Sequence, residues 1–305
     1  MSGVRALEKV FPVTGWQRFL REYWPAKPLH RKGRLERLRG LDDLSAPGGI
    51  VNLAVRSQME LKAMLPARSQ EHNEIKIGPG DIIPLLDAGA TIACNSIQRW
   101  HPAARRWTEL LAHSLTGTTE FGACNAYLSP AGRGVPMHFD DHEIIVVQLA
   151  GKKTWTFAPN TQVVNPTANS GRILSAEVQP YAVGEILQEM PAPRTRVSMS
   201  PGSVLFLPRG YWHETDAEEL SISITFGFRT PCWAELIADH LRQQLLLDPC
   251  WREPAWDFHK SSSDGAVEKQ WQARLTELEK IVRGISVSDL DRKQGLRPHS
   301  ARKRH

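Results

Sequence analysis

The chain has 305 residues, 41% hydrophobic and 23% charged, the balance of an ordinary soluble globular protein with room for one large domain or two small ones. No run approaches the ~18 uninterrupted apolar residues of a membrane span, and the first residues hold no apolar run leading to a cleavage site, so the expected location is the cytosol. The net charge of +5 gathers in Lys27–Arg39 and Arg292–His305; the second stretch has no acid and reads as a solvated, disordered tail, which leaves nucleic-acid contact open without favouring it.

In chain order, Thr14 to Trp24 reads as a helix capped by Thr14, because Trp16, Phe19, Leu20 and Tyr23 recur at helical spacing. An extended "AKPLHRKG" follows. Ser57 to Leu65 reads as a short helix. "IIPLLDAGATIACNSI" is a helical turn stopped at Gly89 and then a strand from Thr91, and "AARRWTELLAHSLTG" is an amphipathic helix ending near Gly117. From Phe121 the pattern changes. "FGACNAYLS", "EIIVVQLA", "KTWTFA", "RVSMS", "SVLFLP" and "SISITFGF" are short apolar segments between Gly/Pro turns, the pattern of a sandwich or small barrel. After Phe228 the period is helical again, in "CWAELIADHLRQQLLL" and "AVEKQWQARLTELEKIVRGI". The four cysteines, Cys94, Cys124, Cys232 and Cys250, are dispersed and read as buried small hydrophobes.

The chemistry concentrates in "PMHFDDHEIIVVQLAGKKTW", Pro136 to Trp155, where an apolar strand opens on a cluster of ionisable groups. Residues i and i+2 of a strand share a face, so His138 and Asp140 project to one side and Phe139 into packing. A third ligand must come from another strand. His213, beyond the Pro201–Gly202 turn, an apolar strand and a second turn, is the best candidate; His101, His113 and His142 compete. Two histidines and one carboxylate leave three positions open on octahedral iron, the arrangement of non-haem Fe(II) oxygenases. An HxD taken alone is common, and its bland alternative is a surface loop.

Other residues strengthen the pattern. Lys153 opens the next strand, and a lysine pointing inward needs an anion; the remote carboxylate of 2-oxoglutarate is such an anion, although a solvated hairpin lysine, or Lys152, is as consistent with the local sequence. Asn125 and Tyr127 share one strand face. Ser221, Ser223, Thr225 and Gly227 share another that is small and polar, as a ligand cavity inside a barrel requires, while Ile222, Ile224, Phe226 and Phe228 face the opposite way; the outer, wet face of an ordinary sheet has the same pattern, and the strand alone does not decide.

"NAYLSPAGRGVPMHFDDHEIIVVQLAGKKTW" followed by "PGSVLFLPRGYWHE", with "FLREYWPAKPLHRKG" and "LLDAGATIACNSIQRW" upstream, resembles the JmjC-type ribosomal oxygenases of the cupin superfamily. The resemblance runs roughly from Phe11 to Phe228. It implies a mainly β fold: a double-stranded β-helix with flanking N-terminal helices and a C-terminal helical segment. It implies Fe(II) held by His138, Asp140 and His213, 2-oxoglutarate held by Lys153, and Asn125 and Tyr127 lining the same pocket beside the polar face of Ser223 and Thr225. The expected reaction is hydroxylation of a side chain in a polypeptide, a ribosomal protein or a peptide precursor. A JmjC-type demethylase and an inactive cupin-like binding protein are the alternatives. The expected organisation is a segment 1–120 packing on the barrel, a core over 121–229, a helical dimerisation region over 230–291 giving a homodimer, and the basic tail 292–305. Two departures stand out. The loop between Pro130 and His138 is about one residue short, and the stretch after Phe228 hardly suffices for the winged helix that follows the dimerisation region in that family.

Overall fold

The computed structural model describes residues 3–12, 14–65, 74–185, 187–255 and 265–285. The chain divides into two units, Met1–Thr230 and Pro231–His305.

The first unit runs α1 (Gly3–Val10), α2 (Trp16–Glu22), β1 (Leu29–Arg31), α3 (Pro47–Val55), β2 (Leu61–Met64), β3 (Glu74–Ile77), α4 (Ile82–Asp87), β4 (Thr91–Cys94) and α5 (Pro102–Thr116). Nine strands follow: β5 (Gly122–Ser129), β6 (His138–Phe139), β7 (Glu143–Ala150), β8 (Lys153–Ala158), β9 (Ser170–Gly171), β10 (Thr195–Met199), β11 (Val204–Leu207), β12 (Trp212–Ala217) and β13 (Ser221–Phe228). They form two antiparallel sheets, one of eight strands in the order β1-β11-β7-β13-β5-β4-β2-β3 and one of five in the order β10-β8-β12-β6-β9. This is the mainly β architecture with helices at both ends that the sequence implied.

Burial explains the unbroken apolar run of β7. Ile145 and Val147 face the helices and join Phe11, Phe19, Trp107, Leu111, Phe206 and Phe226 in the largest core cluster. Ile144 and Val146 face the other way, and pack with Trp155, Phe157, Met199, Leu205 and Leu207 from both sheets. A strand buried on both faces has no use for polar alternation. Strand β13 instead turns Ile222, Ile224, Phe226 and Phe228 into the large core, which leaves its small polar residues on the inner face.

Several local expectations are corrected. Thr14 does not cap α2: Gly15 holds the N-cap position, and the Thr14 hydroxyl accepts from Arg31 Nε at 2.8 Å. The helix expected over Ser57 to Leu65 is the strand β2, because Leu61 and Ala63 alternate with Lys62 and Met64 and pair with both β3 and β4. Helices α1 and α3 and strand β3 were not anticipated. Cys94 and Cys124 are buried, Cys232 is half-buried and Cys250 is exposed, so the reading of all four as buried hydrophobes holds for two. The basic tail 292–305 lies outside the described residues.

In the second unit, α6 (Trp233–Leu245) and α7 (Ala266–Gly284) are the helical segments expected after Phe228. No described residue of either is fully buried.

Phe206 ties β11 to the N-terminal segment: its ring centroid lies 5.2 Å from that of Phe19, edge on, and 5.5 Å from that of Trp24. Phe206→Ala leaves a void between sheet and helix and should cost about 3–5 kcal/mol of stability, read as a fall in the urea midpoint at an unchanged slope.

Candidate metal centre and its cavity

The site begins with one strand pair. His138 in β6 lies directly opposite His213 in β12, so two residues far apart in the chain share one rung of the five-stranded sheet. Beyond His138, Phe139 turns away into a cluster with Met137 and Trp212, and Asp140 returns to the histidine side. His138, Asp140 and His213 each offer one ligand atom, and the three atoms lie within 4.8 Å of one another. Asp140 Oδ1 is 3.9 Å from His138 Nε2, and its Oδ2 is 3.5 Å from His213 Nε2.

Both imidazoles are oriented from behind. His138 Nδ1 lies 2.7 Å from the Pro136 carbonyl and His213 Nδ1 lies 2.9 Å from the Tyr211 carbonyl. A carbonyl only accepts, so each Nδ1 carries a proton and each ring turns its Nε2 toward Asp140. Burial, reinforced by the neighbouring His138, lowers the His213 pKa to about 4, which keeps that ring neutral. Burial pushes the Asp140 carboxyl up, but His142, His213 and His138 together outweigh it and hold the group below its ordinary range. Two imidazoles and one carboxylate, converging and tied from outside, suit a divalent transition metal with open positions.

The triad borders a cavity of about 440 Å³, a size suited to a small ligand. Every site residue read from the sequence lines it: Asn125, Tyr127, His138, Asp140, Lys153, His213, Ser223 and Thr225. Asn125 Oδ1 accepts from Ser96 N at 2.9 Å, which fixes the amide. Burial, with Asp140 adding to it, raises the Tyr127 pKa far above its ordinary value, so its hydroxyl stays protonated. Lys153 is 1% exposed. Its Nζ donates to Ser129 Oγ at 2.9 Å, and no carboxylate pairs with it among the described residues. Burial lowers its pKa to about 8. A buried ammonium held by one hydroxyl is costly unless an anion joins it, so the cavity walls themselves suit a ligand carboxylate there.

Of the competing histidines, His101 caps α5 by accepting from Ala104 N and bonds Asp43, away from the cavity. His113 lies within α5. His142 does reach the cavity but stands outside the triad. Its Nδ1 bonds Asp141 at 2.7 Å, and Arg229 Nε donates to the same carboxylate at 2.6 Å. The ring fits because residue 227 is glycine: a Cβ there would stand 2.8 Å from His142 Cδ2. Other lining residues were not read from the sequence, among them Met64, Glu74, Trp155, Asn169 and Thr215. Trp155 is two residues beyond Lys153 on the same strand face, and that parity could have found it; its ring stacks on His213 with centroids 5.7 Å apart. Met64, Glu74 and Asn169 come from elements with no local sign of the cavity.

Residues 98–236 match the JmjC domain family. Over 270 residues the chain is 28% identical to the uncharacterized protein YxbC of Bacillus subtilis, covering 84% of this chain and 81% of that one. It is 23% identical to the ribosomal protein uL16 3-hydroxylase of Escherichia coli, covering 76% of this chain and 58% of the other. The fold is similar to that of YcfD, a ribosomal oxygenase from Escherichia coli solved in complex with cobalt and 2-oxoglutarate, with a TM-score of 0.56, 18% identity, and coverage of 86% of this chain and 66% of that one. The chain thus spans less than two thirds of the two relatives that carry an activity in their names. The matched residues contain all nine strands β5–β13 and all three residues of the triad.

Lys153 generates a pH effect on the ligand-free protein. The unfolded chain keeps this proton to about pH 10.5 and the folded chain only to about 8. Between these values the unfolded state binds more protons, so the Lys153 contribution to unfolding free energy rises with pH, by at most about 1.4 kcal/mol per unit. Below pH 8 the penalty is fully present. Denaturation of wild type and Lys153→Met across pH 7–10 should show the variant's advantage shrinking as pH rises.

Proposed function

We propose that the chain is an Fe(II)- and 2-oxoglutarate-dependent oxygenase that hydroxylates a side chain of a polypeptide. The observation that carries this reading is the meeting, in one cavity, of a His-Asp-His triad with a buried lysine that has no carboxylate partner among the described residues. His138, Asp140 and His213 hold the metal. Lys153 takes the remote carboxylate of 2-oxoglutarate, and Asn125, Tyr127, Ser223 and Thr225 line the space between. When bound, iron with 2-oxoglutarate and dioxygen supplies an oxidant able to convert an unactivated C–H into C–OH, with release of succinate and carbon dioxide.

The chain's own part is positional. The Pro136 and Tyr211 carbonyls hold the imidazoles in the ligating tautomer. The Trp155 ring covers His213 and keeps water from that side. The Tyr127 hydroxyl, protonated at any physiological pH, is a hydrogen-bond donor in the same wall. Such fixed groups act by orienting reactants and replacing water. The relative that acts on ribosomal protein uL16 supports a polypeptide substrate, and a ribosomal protein would be met in the cytoplasm.

The same reading extends to a homodimer, formed through the second unit. Trp233 is 75% exposed and Trp271 is 50% exposed, with Ile237 and Leu275 also exposed on α6 and α7. Two helices with outward tryptophans and no fully buried residue need a covering surface, and a two-fold pair supplies it.

Three outcomes test these assignments. His138→Ala or His213→Ala should abolish iron-dependent succinate formation, while His142→Ala should retain it; the reverse pattern would make His142 the third ligand. Lys153→Ala should weaken 2-oxoglutarate binding by roughly ten- to a hundred-fold, the worth of a charge-assisted bond, with metal uptake little changed. Mass spectrometry of the treated polypeptide should show an added oxygen; loss of a methyl group would make the chain a demethylase. For the dimer, light scattering should give twice the 34.3 kDa chain mass, and Trp233→Glu combined with Leu275→Glu should return it to the single-chain value.

A further inference from the structure

The cavity wall formed by β5 and β13 grades from closed to open. Ser129 lies opposite Ser221, Tyr127 opposite Ser223, Asn125 opposite Thr225 and Ala123 opposite Gly227. Along β5, Ser129 is buried, Tyr127 and Asn125 are half-buried and Ala123 is exposed. Lys153 donates to Ser129, so it stands at the closed end. Gly227, further along β13 from Ser221, lies about 20 Å away at the rise of an extended strand. The co-substrate assigned to Lys153 is a short dicarboxylate whose other end meets the metal, and it leaves the Gly227 end to the polypeptide.

His142 occupies that open end. It lines the cavity together with Ala123 and Gly227, and a Cβ on residue 227 would stand 2.8 Å from its Cδ2 and 2.9 Å from its Nε2. Glycine inside a strand weakens it and marks a close approach. His142 Nδ1 bonds Asp141 Oδ1 at 2.7 Å, and Arg229 Nε donates to Oδ2 of the same carboxylate at 2.6 Å. Asn169 Oδ1 accepts from Asp141 N at 2.7 Å. The imidazole is thus held from β13, from the segment after β8 and from its own turn, yet it is not one of the three grouped ligands. Its Nδ1 is engaged by Asp141. Its Nε2, the nitrogen beside Gly227, makes no hydrogen bond among the described residues.

We propose that His142 positions the target side chain of the polypeptide, through a hydrogen bond between its Nε2 and a polar atom of that side chain. The inference rests on the oxygenase reading and adds a residue to it. A ring already fixed on three sides loses little freedom when its last nitrogen is engaged, which is what positioning requires. The same bond makes the site selective. A group placed to hydrogen-bond a polar target is left unpaired when an aliphatic one replaces it. The competing role is that of a brace, in which His142 only holds Asp141.

Two amide substitutions separate these roles. An asparagine amide nitrogen stands near the position of imidazole Nδ1, and a glutamine amide reaches that of Nε2. His142→Asn therefore keeps the bond to Asp141 and loses the cavity group, and His142→Gln does the reverse. The probe is the polypeptide that wild type itself marks with an added oxygen in a mixture of extracted ribosomal proteins and soluble cell protein, supplied with Fe(II), 2-oxoglutarate and air. Mass spectrometry measures the hydroxylated polypeptide, and succinate is measured beside it. The ratio of the two should fall roughly three- to tenfold in His142→Asn, the loss of one hydrogen bond, and return to within about twofold of wild type in His142→Gln. Gly227→Ala, which displaces the ring, should lower the ratio as His142→Asn does. Calorimetric binding of Mn(II) and 2-oxoglutarate reports that each variant folds. An unchanged ratio in His142→Asn, or a ratio kept in His142→Asn and lost in His142→Gln, overturns the assignment. Should the variants not fold, carbethoxylation of His142 in Mn(II)-loaded wild type decides: the polypeptide should slow it several-fold, and an unchanged rate overturns the assignment. Wild type that marks no polypeptide overturns the oxygenase reading, and this assignment falls with it.

Discussion

The pairing of β6 with β12 is the constraint on which the site depends. It sets His138 opposite His213 and leaves no freedom in which nitrogens converge. A slip of one residue would turn one histidine to the far side of the sheet. Several features hold that register. Strand β12 pairs along its whole length with β8. Val135 N donates to Thr215 Oγ1, and Thr215 N to the Val135 carbonyl. Phe139 and Trp212, one step from the rung on either strand, meet edge to face with centroids 4.7 Å apart on the side away from the metal centre. A packed aromatic pair on one face thus fixes a pair of ligands on the other.

The same economy recurs in β13. Its large residues build the core under α5, and its small ones open the cavity. Gly227 is the limiting case, since any side chain there would meet the His142 ring. Lys153 carries the converse burden. It sits at the start of β8 between β10 and β12, where, among the described residues, only the Ser129 hydroxyl answers its charge.

Much of this was legible in the sequence because strand parity is rigid. His138 with Asp140, Asn125 with Tyr127, and Ser223 with Thr225 are each two residues apart, and each pair came out on the cavity side. Parity also separated Phe139, Ala126 and the β13 aromatics from them. Where parity gave no guidance, the reading was weaker. Ser57 to Leu65 has helix-forming residues, and only its tertiary pairing with β3 and β4 makes its second half a strand. Thr14 had the chemistry of a cap, but its hydroxyl was taken by an arginine from the next segment. The contributions of Met64 and Glu74 depend on how an edge hairpin lies over the barrel mouth, which no local pattern encodes. The choice of His213 over His142 needed the strand pairing itself, since both stand close to Asp140.

The isolation of Lys153 also bears on how the reaction would be throttled. The co-substrate assigned to this cavity leaves as succinate, which has lost the keto acid group at one end but retains the carboxylate at the other. Lys153 meets only that retained end. It therefore would not tell reactant from spent product, and the discrimination would fall on the groups at the other end of the cavity. On that assignment, succinate would compete with the co-substrate for the same ammonium.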